Sequence, residues 1–241
     1  MQQTLMVKLS PSKEQHTALL ETIHRFNEAC NFIAETAFSI KSASKFKLQK
    51  QVYRVVRERF GLSAQLTIRA IAKTAEAYKR DKKIKPAFKS EGAIVYDQRI
   101  LSWRGLEAVS ILSLQGRLKV PIRLGEYQKA RLDRIRGQVD LIYRNGEFYL
   151  AVVVDAPEPS KFEAIDILGV DLGIVNIAVD SDGQTFSGKT VEANRRWFAG
   201  LRGVLQNVDT KSAKRHLKKL TRREQAFKRS VNHVVSKVIV A

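Results

Sequence analysis

Residues 139–154 read Val-Asp-Leu-Ile-Tyr-Arg-Asn-Gly-Glu-Phe-Tyr-Leu-Ala-Val-Val-Val. Two apolar runs, Val139 to Tyr143 and Phe148 to Val154, flank the pair Asn145-Gly146. Asn-Gly tolerates the two left-handed backbone positions of a type I′ turn, which is the connection that tight β-hairpins favour. The stretch therefore predicts a β-hairpin, the clearest in the chain.

Other short apolar runs surround this hairpin. Residues 94–96, 109–112 and 118–122 are broken by glycines and by Pro121, and residues 5–9 alternate apolar and polar side chains. Such runs are typical of short strands. Six or so of them predict a small β-barrel of OB-like type, which the first strand joins. Pro157-Glu158-Pro159-Ser160 predicts a linker after the barrel.

The segment between the first strand and this barrel has a helical period instead. Ser10-Pro11-Ser12 marks a helix start, and apolar residues then recur every three or four positions up to Ile40. A second helix is predicted to end at Phe60-Gly61, where glycine offers a cap, and a third to start near Ser63. A basic run, 79–86, ends this helical module.

The charge of the chain is concentrated in two stretches. The 241 residues carry 43 lysines and arginines against 24 acidic residues, a net charge of +19. Residues 41–89 have a net charge of +12 and residues 194–230 of +10, whereas the rest sums to −3. Solvated helical faces are the alternative, but self-repulsion this strong favours a polyanion that screens it. Two basic faces of this kind predict nucleic-acid binding.

The candidate nucleic-acid-binding residues belong to these two stretches. They are Lys45, Lys47, Arg54, Arg57, Lys79, Arg80, Lys82, Lys83, Lys85, Arg195, Arg196, Arg202, Lys214, Arg215, Lys218, Lys219, Arg222 and Arg223.

Several classes are excluded or disfavoured by composition. The single cysteine, Cys30, forms no internal disulfide and supports no Cys-rich zinc site. The sequence shows neither a signal-peptide pattern nor an apolar run long enough to cross a bilayer, which predicts a cytoplasmic protein without a membrane partner.

The segment with the clearest chemistry is Ile165 to Val179, a near-continuous apolar run interrupted by Asp171 and two glycines. Such a run predicts a pair of buried strands. A buried aspartate is costly unless it is paired or holds a cation, so Asp171 is expected to have a partner. The alternative is a turn aspartate between two strands.

The run Gly169-Val170-Asp171-Leu172-Gly173-Ile174-Val175-Asn176 resembles the first motif of the RuvC-type RNase H-like domain in TnpB (OrfB) proteins. These are transposon-encoded RNA-guided DNA nucleases related to type V CRISPR effectors. The similarity extends along the chain, from the Ser10–Gln15 helix start through Lys85–Ser90 and the central hairpin to Asn232-His233.

This resemblance implies an α+β, multi-domain chain. Residues 1–10 and 91–160 would form a wedge-type β-barrel, residues 11–90 an inserted helical recognition bundle, and residues 161–241 the start of a RuvC-like domain with basic helices. It further implies guide RNA and double-stranded target DNA as partners, a role in transposition, Mg²⁺ as cofactor, and Asp171 as catalytic residue and metal ligand.

The chain also departs from the family pattern. The family's nuclease site needs a glutamate and a second aspartate from later strands, with a Cys₄ zinc ribbon between them, and this sequence contains none of these. Asp166, Asp180 and Asp182 are poorly placed to replace them. A single carboxylate cannot hold two metal ions. We therefore expect a truncated and inactive chain, or one that a separate C-terminal fragment completes; natural truncation, a frameshifted relic and a split protein stay open.

One competing motif is present. Residues 183–190, Gly-Gln-Thr-Phe-Ser-Gly-Lys-Thr, satisfy the P-loop pattern between a strand and a helix predicted to begin near Glu192. This predicts an NTP-binding protein as the alternative. Against it, Thr185 to Ser187 is typical of the return strand of a hairpin, and the basic helix that follows leaves no room for a P-loop fold.

Overall fold

The computed structural model describes residues 1–158 and 166–240 of the chain. Ile165 and residues 159–160 of the predicted linker lie outside the described residues. The contacts within the chain separate two compact units, Met1–Pro159 and Ser160–Ala241. Among the described residues, no helix combines the length and the apolar character that a membrane span requires.

The first unit is built on seven strands. They are β1 (Gln2–Leu9), β2 (Ile94–Tyr96), β3 (Leu101–Arg104), β4 (Ala108–Ser113), β5 (Gly116–Arg123), β6 (Ile135–Arg144) and β7 (Glu147–Asp155). These strands form one antiparallel sheet in the order β2-β6-β7-β1-β5-β4-β3. Along β7 the side chains alternate between buried and half-buried positions, as expected for a sheet with one face on the core.

The two edges of this sheet lie close to each other. β2 and β3 are consecutive in the chain and are joined by residues 97–100. The Tyr96 hydroxyl donates to the Leu112 carbonyl (2.8 Å), and the Leu112 N–H donates to the Ile100 carbonyl (2.9 Å). These bonds tie β4 to the edge strand β2 and to the connection between β2 and β3, while β4 also pairs with β3, so the sheet is a nearly closed barrel. The predicted α+β class with a small barrel is confirmed.

The hairpin predicted from Asn145-Gly146 joins β6 and β7. Both turn residues have positive φ angles, 56° and 85°, and Arg144 pairs with Glu147 across the turn. This is the geometry for which Asn-Gly is suited, because asparagine and glycine tolerate left-handed backbone better than other residues. Local sequence alone therefore determined this connection.

Three long helices follow β1. The helices of the first unit are α1 (Lys13–Ser39), α2 (Lys45–Phe60), α3 (Ala64–Arg80) and the short α4 (Glu126–Lys129), with a 3₁₀ turn at Leu132–Arg134. Ser12 caps α1 in a capping box with Gln15, and Gly61, at φ 65°, ends α2. The predicted starts and ends of these helices are confirmed to within a few residues.

The helices and the barrel share one hydrophobic core. Phe26 and Ile33 of α1 belong to the same buried cluster as Tyr96, Phe148 and Val152 of the sheet. Burying a side chain of this size stabilises a fold by about 1.5–3 kcal/mol. A continuous core of this kind explains why the inserted helices and the barrel form a single compact unit.

The second unit is smaller. Its elements are β8 (Val170–Asp171), β9 (Asn176–Asp180), β10 (Thr185–Ser187), α5 (Lys189–Val208) and α6 (Lys211–Val240). The strands form an antiparallel sheet in the order β10-β9-β8. Only two residues separate α5 from α6, and Arg202 meets Glu224 across them, so the helices pack as an antiparallel pair.

Candidate functional site

The basic residues of α2 lie on its solvent side. Leu48, Val52, Val56 and Phe60 recur every four residues and are buried. The other positions of the helix are exposed except for the half-buried Tyr53, and the exposed ones include four of the candidate cations: Lys45, Lys47, Arg54 and Arg57. An amphipathic helix of this pattern presents its cations away from the core. These side chains are free to meet a phosphate backbone.

The basic run 79–85 is exposed and has a defined path. The Tyr78 hydroxyl donates to the Lys82 carbonyl (3.1 Å), and the Lys83 N–H donates to the Asp81 carboxylate (2.8 Å). Lys85 lies 3.8 Å from Glu35 in an exposed ion pair, which is worth little in water. The end of α3 therefore carries a second group of accessible cations.

The helix pair of the second unit carries the other basic stretch. Arg195 and Arg196 both donate to Glu192 one turn earlier, at 2.6 and 3.0 Å. The hydrogen bond from Arg195, followed by that from Arg196, lowers the pKa of Glu192 to about 2. Two arginines share one carboxylate here, so the first two turns of α5 keep an excess of positive charge.

Arg202 has a different environment from the other candidates. It is half-buried and forms an ion pair with Glu224, a buried carboxylate on α6 that Lys228 also contacts at 2.9 Å. The hydrogen bonds from Lys228 and then Arg202 lower the pKa of Glu224. Arg202 thus joins α5 to α6, whereas all other candidate cations are exposed.

Asp171 ends β8 and is exposed, so the prediction that it is buried is wrong. Within the described residues its carboxylate accepts no hydrogen bond and forms no ion pair. The reason is that the second unit has little core: its described buried hydrophobic residues are Ala178, Phe198, Ala213 and Leu220. No second layer formed by residues 166–240 covers the apolar run around Asp171.

The other aspartates of this segment do not converge on Asp171. Val170 pairs with Asp180 and Asp171 with Val179, so the two carboxylates lie on opposite faces of the sheet. Asp180 is buried and accepts the Gln184 N–H (2.7 Å), which caps the β9–β10 turn. In the part of the chain that the structure describes, no three acidic, histidine or cysteine side chains form a metal-binding group.

The residues present therefore do not fit a two-metal nuclease site. Such a site holds two cations about 4 Å apart with several carboxylates. Asp171 supplies one exposed carboxylate, and Asp180 is committed to its turn.

The structure contradicts the P-loop interpretation at Gly188. Thr185–Ser187 pairs with β9 as the expected return strand, and α5 begins directly after Gly188. The Gly188 N–H donates to the Val175 carbonyl (2.8 Å), so it does not face a phosphate. A β-carbon at this position would lie 2.5 Å from the Ile174 carbonyl oxygen. Glycine is therefore needed for backbone packing.

Two substitutions test this assignment. Gly188→Ala is expected to destabilise the second unit by about 1–3 kcal/mol, because the added carbon overlaps the 174–175 backbone. Lys189→Ala, at an exposed position, is expected to change stability by less than about 0.5 kcal/mol. Urea unfolding of the full chain, followed by Trp197 fluorescence in a Trp103→Phe background, measures both. Calorimetric ATP binding that Lys189→Ala abolishes would restore the P-loop.

Comparison with known proteins gives a distant structural neighbour. No family model and no curated protein sequence matches the chain. Among solved structures, one that is similar is described as a cryo-EM structure of a CRISPR-Cas12f ternary complex, with a TM-score of 0.41 and 12% sequence identity. The match covers 92% of this chain and 60% of that chain. This chain thus spans about three fifths of the length of that neighbour, and similarity at this level defines neither a family nor an activity for it.

Proposed function

We propose that the chain is a nucleic-acid-binding protein of the RNA-guided DNA endonuclease (TnpB/OrfB) type, with guide RNA and double-stranded DNA as its partners. One observation carries the binding part of this proposal. Every candidate cation except Arg202 is exposed; most of them lie on helices, and Lys82, Lys83 and Lys85 lie in the segment directly after α3. The motif around Asp171 supports the family part by its resemblance.

The exposed cations act as phosphate contacts in this proposal. Each lysine or arginine that neutralises a phosphate releases condensed counterions, which favours binding without regard to base sequence. Lys82 in the first unit and Lys218 in the second are exposed and form no ion pair within the described residues. Both are therefore available for this role.

Charge reversal at these two positions tests the proposal. Lys82→Glu combined with Lys218→Glu is expected to weaken binding to duplex DNA by about 30-fold at 150 mM salt. This is the gain in affinity that counterion release from two phosphate contacts gives at that salt concentration, about 30-fold relative to 1 M salt. The matched control reverses Lys119 and Arg144, two exposed cations of the barrel, and changes the net charge equally. Filter binding measures all three proteins. Equal losses in both variants would show that net charge alone, and no defined surface, causes the binding.

A second candidate is a nuclease that a separate C-terminal fragment completes. The favouring observation is the apolar surface beside Asp171. Leu172, Ile174 and Val175 are 73%, 87% and 81% exposed, which is unusual for three large aliphatic residues so close together. We propose that this surface receives strands of a partner polypeptide, and that any Mg²⁺ would bind at Asp171 only when further carboxylates join it.

A further inference from the structure

A groove runs along the seam between α5 and α6. On the α5 side it is lined by Trp197, Leu201 and Leu205, which are spaced by four residues and therefore share one helix face. Its volume is about 210 Å³. Sites that enclose a whole small ligand are larger, about 300–1,000 Å³. The groove is thus suited to a single ring that is attached to a chain running outside it.

Trp197 is the unusual member of this groove. Its side chain is 58% exposed, although the neighbouring Phe198 is buried. The two rings meet edge to face with 4.9 Å between their centroids, which holds the indole in a fixed orientation. An exposed and oriented indole presents a flat apolar surface to solvent.

The α6 side of the groove is basic. His216, Lys219 and Arg223 line it, and among the described residues no acidic side chain lines the groove. Lys219 and Arg223 are exposed and form no ion pair within the described residues. The nearby Glu224 is occupied by Arg202 and Lys228. The groove therefore combines an aromatic face with two uncompensated cations.

We propose that this groove binds one unpaired nucleotide of a single-stranded nucleic acid, with the base stacked on Trp197 and its phosphates held by Lys219 and Arg223. Stacking on an aromatic side chain is insensitive to base identity, because every base has a π face. The adjacent cations match the charge of the backbone. This inference deepens the proposed function and rests on it, and it adds a contact that requires a base, of whatever identity, to binding that is otherwise electrostatic.

An abasic strand, which keeps the phosphates but lacks the bases, separates the contribution of stacking from that of charge. In a Trp103→Phe background, Trp197 is the sole tryptophan of the full chain. A pyrimidine oligonucleotide is expected to quench its fluorescence, whereas an abasic strand of equal length is expected to bind more weakly and to quench little. Parallel titrations with an oligoribonucleotide and an oligodeoxyribonucleotide show whether the groove prefers RNA or DNA.

The substitution series uses the wild-type Trp103 and fluorescently labelled strands. Trp197→Leu is expected to weaken binding of the base-bearing strand by about 5- to 150-fold and to leave the abasic strand unchanged. Trp197→Phe, which keeps a smaller ring, is expected to retain part of the affinity. Lys219→Ala is expected to weaken both strands more than Lys237→Ala, which removes the same charge on the same face of α6 about 27 Å away.

The outcomes distinguish this inference from the proposed function. If wild-type protein bound base-bearing and abasic strands equally well while duplex binding stayed intact, the nucleotide site in the groove would be overturned and the proposed function would not. Failure to bind duplex, single strand and abasic strand alike would overturn the proposed function as well. The free energy of unfolding in urea is measured for each Trp197 variant, so that a loss of structure is not mistaken for a specific loss of binding.

Discussion

Affinity for duplex DNA is expected to fall by about 10³ to 10⁵ when salt rises from 50 to 200 mM, if about 6 to 10 of the exposed cations contact phosphates. The cause is counterion release, because the free energy gained on release shrinks as bulk salt rises. The logarithm of the affinity should decrease linearly with the logarithm of salt concentration, with a slope of about −0.9 per contact. Filter binding across this range measures the slope.

Two controls make this expectation specific. In the combined Lys82→Glu and Lys218→Glu variant, the magnitude of this slope should be smaller by about 1.8, because two phosphate contacts are lost. The barrel control at Lys119 and Arg144 should leave the slope unchanged. A single strand should give a shallower slope, about −0.7 per contact. A flat response to salt would contradict phosphate contact as the source of affinity, whatever the affinity itself.

The elements that local sequence determines were predicted well. Asn145-Gly146 defines its own turn, and Ser12 and Gly61 mark helix ends through hydrogen bonds to residues nearby in the chain. The amphipathic period of α2 placed its cations on the exposed side without knowledge of the partner elements. Each of these features depends on contacts within a few residues.

The features that depended on distant contacts were not predictable in the same way. An apolar run indicates that a segment can be buried, but whether a second layer covers it depends on other parts of the fold, and around Asp171 no such layer lies within residues 166–240. Arg202 is indistinguishable from its neighbours until Glu224, 22 positions later, is seen to pair with it.

The same reasoning applies to the competing motif and to Trp197. The P-loop pattern is satisfied in sequence, yet the N–H of Gly188 is already bonded to Val175, thirteen residues earlier. The helical spacing around Trp197 does not by itself distinguish a core position from an exposed one that suits base stacking. Its 58% exposure beside a row of cations favours the second.

DNA cleavage is expected to be absent from the chain alone, and to require both Mg²⁺ and a polypeptide that supplies the further glutamate and aspartate. In such a reconstituted mixture with guide RNA, Asp171→Asn should lower the cleavage rate by about 10²- to 10³-fold, as for the loss of one group that stabilises developing charge. An amide oxygen carries no charge to hold a divalent cation against the developing charge on the scissile phosphate. The matched control is Asp182→Asn, which makes the same chemical change at an exposed residue of the nearby turn.

Stability measurements distinguish a loss of cleavage caused by the missing carboxylate from one caused by unfolding. Because Asp171 is exposed and unpaired within the described residues, Asp171→Asn should change the free energy of unfolding by less than about 0.5 kcal/mol. Wild-type rates in the Asp171→Asn mixture would remove Asp171 from the nuclease site. Guide-dependent cutting by the chain alone that is lost on Asp171→Asn would contradict this expectation. It would mean that a second carboxylate among these 241 residues reaches Asp171 once nucleic acid is bound. A rearrangement would be needed for this, because the sheet register holds Asp180 on the opposite face from Asp171.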